Sequence, residues 1–327
     1  MKLLTGLISL AFSGLAIASG PTYQLQVGAP VLNTAIPSGS GMSPTFNHRY
    51  LVVGDDSPYL FEVDARFQVV KKTLIKDYPI NAQGRIDKKV KPDFEAMTPL
   101  VWNKQLWSMV IGSGSKPDLR EYGFLLSYDG KQKVEFRLTN LYKQFFVAGG
   151  LTPTQTINIE GLTVDHQYMY FLNRGNSASN MIFRVKLSDM SDYLAGKVTQ
   201  VGEVKKFDVK LPVIDKFEAG LSGADYWPEA RALVYTASVE ATGDAYGDGA
   251  ILGSFVGVIP LHQLREGQTL DLSRSAAPVM VNGKPVLTKI ESIAFQKADE
   301  HEVRGALVSD NDQGASEFFG FRLRRKD

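Results

Sequence analysis

The 327-residue chain contains no cysteine. That excludes disulfides, thiolate catalysis, cysteine-ligated zinc and a lipid-modified N-terminal cysteine. Neither sign of charge is in surplus, with 36 basic residues against 35 acidic ones. A basic nucleic-acid footprint or a polybasic membrane patch is therefore not expected. Histidine is scarce, only His48, His166, His262 and His301, and neither H-E-x-x-H nor G-x-S-x-G occurs. Zincin and α/β-hydrolase chemistry thus have no support in the sequence. Gly112-Ser113-Gly114-Ser115-Lys116 lacks the spacing of a phosphate-binding P-loop. Amphipathic helical periods are few: Asp189 to Ala195 and Leu261 to Glu266 offer a turn or two each.

One apolar run stands out. Lys2 precedes Leu3 to Leu15, and Ala16-Ile17-Ala18 follows as an A-x-A site. This pattern reads as a secretory signal peptide over residues 1–18, too short and glycine-broken for a membrane span. The expected mature chain, residues 19–327, is a single domain, periplasmic or secreted, with no membrane anchor. Without disulfides, an exported chain must be held by its core. Apolar residues make up 44% of the chain, enough for a sizeable one.

The chain repeats. A short opening of acid or serine, a small residue and an apolar or small residue recurs five times. The copies are Ser40-Gly41-Met42-Ser43, Glu95-Ala96-Met97-Thr98, Glu160-Gly161-Leu162-Thr163, Ser222-Gly223-Ala224-Asp225 and Glu291-Ser292-Ile293-Ala294. Their starts are 55, 65, 62 and 69 residues apart. Each opening leads through a turn into a β-branched and aromatic run, for example Leu106 to Ile111 or Tyr168 to Leu172. Third and fourth runs follow, such as Tyr59 to Val63 and Val69 to Lys76. Four strands per repeating unit predict an all-β fold, a β-propeller of four-stranded blades. The count favours five blades, with six open if Leu252 to Leu287 holds a degenerate one. The last unit stops after a third strand, Phe318 to Leu323, and Tyr23 to Val27 is an unassigned strand near the start. The N-terminal strand is therefore expected to complete the last blade and lock the ring.

Strand direction selects one mouth of the channel. In such a blade the start of the first strand and the end of the second share a face beside the channel. Those positions hold Glu95, Glu160 and Glu291, and Asp55-Asp56, Asn173-Arg174, Glu240 and Asp310. The opposite-face turns read as ordinary solvated turns. Carboxylates around a narrow channel repel unless a cation or an arginine sits among them. Oxygen ligands suit Ca²⁺ or Mg²⁺. The expected metal ligands are Glu95, Glu160, Asn173, Glu291 and Asp310, with Ca²⁺ ahead of Mg²⁺. Two other arrangements are open: each glutamate caps backbone amides of the neighbouring blade, or Arg174 neutralises the ring without a metal.

Asn158-Ile159-Glu160-Gly161-Leu162-Thr163, followed by Tyr170-Phe171-Leu172-Asn173-Arg174-Gly175, resembles uncharacterised bacterial secreted propeller proteins. More distantly the pattern resembles the esterase-like phytase domain and the calcium-dependent lactonase and gluconolactonase propellers. The resemblance implies calcium held at the channel mouth by Glu, Asn and Asp side chains. Two functions are expected as alternatives. One is a metal-assisted hydrolase of an ester, lactone or phosphoester, with Asp56 or Glu240 as base and Arg174 or Lys116 holding an anionic substrate. The other is a non-enzymatic propeller that binds a small molecule or a protein. A monomer is expected in either case.

Overall fold

The computed structural model describes residues 22–242, 249–310 and 314–326. The signal-peptide segment lies outside the described residues. Five antiparallel blades stand around one axis. Their innermost strands are Gly39–Pro44, Phe94–Trp102, Ile159–Val164, Gly220–Trp227 and Lys289–Ala298, numbered here as blades 1 to 5. Each pairs with the next strand in sequence, and that with the third, so every blade is a meander. The apolar repeat positions are buried because both faces of a blade pack on neighbours. Five buried apolar clusters fill five seams, one between each pair of adjacent blades. A ring needs as many seams as blades, so the core itself records closure.

The closing device is the expected one. Thr22–Val27 lies antiparallel on Ser316–Lys326, the third strand of blade 5, in register from Tyr23 opposite Arg325 to Val27 opposite Phe321. Val31–Asn33 continues along the same edge. Tyr23 meets Trp227 of blade 4 edge to face, 6.1 Å between ring centres. The N-terminal strand thus covers an edge and clamps a seam at once.

The long segment after blade 4 is not a sixth blade. Ile251–Pro260 is the third strand of that blade, and Ala277–Pro278 is its short fourth. Between them Thr269–Asp271 crosses to blade 3 and pairs in parallel with Val204–Lys210. Among the described residues there are two α-helices, and the expected turn after Leu261 is a 3-10 helix over Leu261–Gln263. Leu187–Leu194 falls where a short helical turn is expected. Thr139–Gly149 is not foreseen in the sequence. Its aromatic-rich stretch buries Leu141, Tyr142 and Phe145, and Phe145 stacks on Phe183 of blade 3 at 4.6 Å. Tertiary packing rather than helix propensity holds it. Among the described residues no helix is long and apolar enough to cross a membrane.

The repeated opening has a shared backbone cause. Every innermost strand slips register at that point, leaving a β-bulge at Ser40, Glu95, Glu160, Ser222-Gly223 and Glu291. A bulge re-aims a side chain away from the ladder. The small residue after it lets neighbouring innermost strands approach. A Cβ on Gly161 would lie 2.2 Å from the carbonyl oxygen of Ser222 in the next blade. Gly161→Ala is therefore expected to cost about 1–3 kcal/mol by overpacking. Gly320→Ala, where the same atom meets nothing within 4 Å, is the matched control. Urea melts of both check this. Equal midpoints would remove the close approach as the reason for glycine.

Candidate functional site

The two serine bulges tie blades together. Ser40 Oγ donates to the Phe94 carbonyl of blade 2, and Ser222 Oγ to the Ile290 carbonyl of blade 5 at 2.7 Å. Both acceptors sit just before a glutamate bulge. The three glutamates behave differently. None accepts from a backbone amide among the described residues, whereas the two serines donate to carbonyls of another blade.

Glu160 accepts from Arg174 at 2.7 Å and from the side-chain Nδ2 of Asn158 at 2.8 Å. Arg174 also reaches Glu240 at 3.3 Å and lies 4.0 Å from Glu291. It is 3% exposed and joins blades 3, 4 and 5. Gly220 makes room for it: a Cβ there would stand 2.6 Å from Arg174 Cγ. Lys289 completes this half, 2.7 Å from Glu291 and 3.4 Å from Glu240. Burial would raise Glu240, but Arg174 and Lys289 hold it below its ordinary range. Burial and Glu160 push Glu291 up to about 8 against Lys289 and Arg174. Its Oε2 is buried and accepts no hydrogen bond.

The other half lies between blades 1 and 2. Single carboxylate oxygens of Asp55, Asp93 and Glu95 all lie within 4.8 Å of one another. Lys91 bridges Asp55 and Asp93, and Arg120 reaches Asp93 at 2.7 Å. Burial opposes the charge on Lys91, but Asp55, Asp93 and Glu95 outweigh it and hold it above its ordinary value. Ser113 Oγ donates to Asp93 as well. Glu95 has no ion-pair partner among the described residues. Burial, then Asp93, Asp55, Glu160 and Glu291, pushes it well above the usual carboxylate range. Those acids come from four blades, so Glu95 stands where the halves of the mouth meet. Asp55 Oδ1 is buried without a hydrogen bond.

Each half carries three carboxylates and two cations. Asp55, Asp93 and Glu95 face Lys91 and Arg120, while Glu160, Glu240 and Glu291 face Arg174 and Lys289. The mouth is short of two positive charges when every group is ionised. Beside the Arg174 half a cavity of about 280 Å³ is lined by Arg174, Asn176, Phe217, Ser238 and Glu240.

The remaining candidates lie apart or are occupied. Asp56 pairs with Arg85, which also donates to Ser38 at 2.8 Å, at the blade 5–blade 1 seam. Burial and Asp55 push Asp56 up to about 6 despite Arg85. Asp310 ends the second strand of blade 5, and its charge is felt at Arg85. Asn173 is fully buried, its Oδ1 accepting from the Asn158 amide at 2.8 Å and its Nδ2 donating to the Arg174 carbonyl at 3.2 Å. It shapes the loop that carries Arg174. Sequence reasoning misses Lys91, Asp93, Arg120 and Lys289. A signal for two of them is there: Asp93, Asn158 and Lys289 each stand two residues before a bulge glutamate, a place that brings them beside it at the mouth.

Several solved structures are similar to this chain. Myxococcus xanthus glutaminyl cyclase matches with a TM-score of 0.46 and 12% identity, over 94% of this chain and 99% of its own. Native Bacillus subtilis arabinanase matches at 0.43 and 10%, over 92% and 96%. A catalytically inactive virginiamycin B lyase from Staphylococcus aureus, with quinupristin, matches at 0.38 and 9%, over 91% and 99%. No curated protein matches the sequence. One family profile matches residues 35–323, from the first blade almost to the end of the last closing strand, and the chain belongs to that family, the family of unknown function DUF6929.

Proposed function

We propose that the channel mouth seats one hard divalent cation at Asp55, Asp93 and Glu95, and that the protein is a cation-assisted hydrolase of an ester, lactone or phosphoester in an exported compartment. The observation that carries this is the convergence of those three carboxylates within 4.8 Å, at a mouth that holds six carboxylates against four cations. The buried, unpartnered Oδ1 of Asp55 is an oxygen awaiting a donor or an ion. Oxygen-only ligands fit Ca²⁺, with Mg²⁺ second. Of the five ligands expected from the sequence, Glu95 fits this centre directly. Glu160 and Glu291 line the other half, Asp310 stands opposite Lys289 in the blade 5 ladder, and Asn173 is engaged by backbone. When bound, the cation would polarise a carbonyl or phosphoryl oxygen. Asp56, next to Asp55 in the chain and pushed up to about 6 by burial and by Asp55 despite Arg85, would be the base beside this centre.

A second reading, ligand capture without catalysis, has a specific observation in its favour. Glu240 is held below its ordinary range and is a weak base. Arg174 is saturated by carboxylates and is not open to an anionic substrate.

Calorimetric titration with CaCl₂ tests the cation. Wild type should bind one Ca²⁺ and melt higher with it, by the mass-action stabilisation any native-state ligand gives. Glu95→Gln should weaken binding at least tenfold while leaving the metal-free melt unchanged or raised, since it removes an unpaired buried acid. No heat of binding, and a melt indifferent to chelator, would refute the cation. Calcium binding without turnover of any ester, lactone or phosphoester would leave the capture reading.

A further inference from the structure

Away from the channel, the chain leaves blade 2 through the helix Thr139–Gly149 before blade 3 begins. This crossover walls an open-sided cavity of about 420 Å³. Tyr142 and Phe146 of the helix and Ile157 supply apolar walls, and the loop 113–121 supplies the floor. Cavities of this size and character take small organic molecules.

The floor carries an acid. Glu121 is 7% exposed. Its Oε2 accepts from Thr139 Oγ1 at 2.7 Å and from the Asp118 amide at 3.3 Å. Its Oε1 accepts from no donor among the described residues, and Glu121 lines the cavity. Tyr142 cannot serve it, because its hydroxyl donates to the Gly112 carbonyl. Lys143 lines the cavity from the exposed face of the helix but makes no ion pair with Glu121. Asp118 adds a second negative charge at the rim. A nearly buried carboxylate that lacks a cation is costly unless something supplies one.

We propose that this cavity binds a small primary amine with an aromatic or aliphatic body, its ammonium on Glu121 Oε1 and its body against Tyr142, Phe146 and Ile157. An ammonium–carboxylate hydrogen bond is stronger than a neutral one and rejects anions outright. Aromatic walls favour both the body and the cation.

Three probes of one shape test this: 2-phenylethylamine, 2-phenylethanol and 3-phenylpropanoate, each titrated calorimetrically into the full chain. The amine should bind at least tenfold tighter than the alcohol, and the carboxylate more weakly than either. Glu121→Gln keeps the bond from Thr139 and should bring amine and alcohol within about twofold of each other. Phe146→Ala should weaken both while preserving the amine's preference. Lys143→Glu, on the exposed face and indifferent to folding, should tighten the amine severalfold. Equal binding of the three probes, no binding of the amine at millimolar concentration, or an amine preference unchanged by both charge variants would overturn the assignment.

Discussion

Arg174→Met should lower stability by about 3–5 kcal/mol, the cost of breaking a buried ion pair from one side. Arg174 is 3% exposed, and Glu160, Glu240 and Glu291 are left facing one another when it goes. Those acids belong to three blades, so the repulsion acts across two seams of the ring. Arg174→Lys should recover little. One ammonium cannot reproduce the fork that meets Glu160 at 2.7 Å and Glu240 at 3.3 Å. Adding Glu160→Gln to Arg174→Met should restore part of the loss, because it removes one of the stranded charges.

The pH dependence of the same variant has a definite sign. In wild type, Glu240 is held below its ordinary value, so its contribution is present above the usual glutamate range and lost as the pH falls through its folded value. Glu291 is raised to about 8, so its contribution is full at low pH and lost as the pH rises through about 8. Without Arg174 both carboxyls hold their protons more tightly. The variant should therefore lose stability faster than wild type between about pH 5 and pH 8. Urea melts across that range measure it. A loss under about 1 kcal/mol at pH 7 would mean that Arg174 is not the keystone of this half.

The architecture was legible in the sequence because the repeat is a backbone requirement. A bulge in each innermost strand needs a small residue behind it, and that requirement is written five times at similar spacing. Ring closure was legible because one strand was missing at one end and one was spare at the other. The mouth was legible only by face. The repeat marks which residues turn toward the axis, and Glu95, Glu160 and Glu291 do gather there with Arg174 and Glu240. It does not mark which partners meet them. Lys91 and Arg120 reach Asp93 from loops that carry no repeated pattern. Arg85, from the loop after blade 1, pairs with Asp56 and likewise carries no repeated pattern. Gly220 gives the clearest case: its importance lies in a side chain it lacks, and only the path of Arg174 reveals it. The helix Thr139–Gly149 was hidden because its aromatics suit a strand equally well by propensity.

Deleting residues 22–27 should be the most damaging truncation of the ring. The strand contributes a six-residue ladder to Ser316–Lys326, and its Tyr23, Leu25 and Val27 pack on the core between blades 4 and 5. Three partly buried apolar side chains at roughly 1–2 kcal/mol each, beyond the ladder itself, set a loss of about 3–6 kcal/mol. The exposed edge matters as much as the energy. Phe321–Lys326 would offer unpaired amides and carbonyls along six residues, a template for another chain, while Val31–Asn33 still covers Ser316–Phe318. The truncated protein should melt lower and form dimers or aggregates on size exclusion. A peptide of residues 19–30 supplied in trans should restore both, since it adds back the same strand by edge pairing. Leu25→Asp separates the two effects: it keeps the ladder and spoils only the packing, so it should destabilise without promoting association. A truncated chain that stays monomeric and melts with wild type would show that the five seams alone hold the ring. The strand would then be a cover rather than a clasp, and the absence of cysteine would have to be met by the apolar seams without help from the termini.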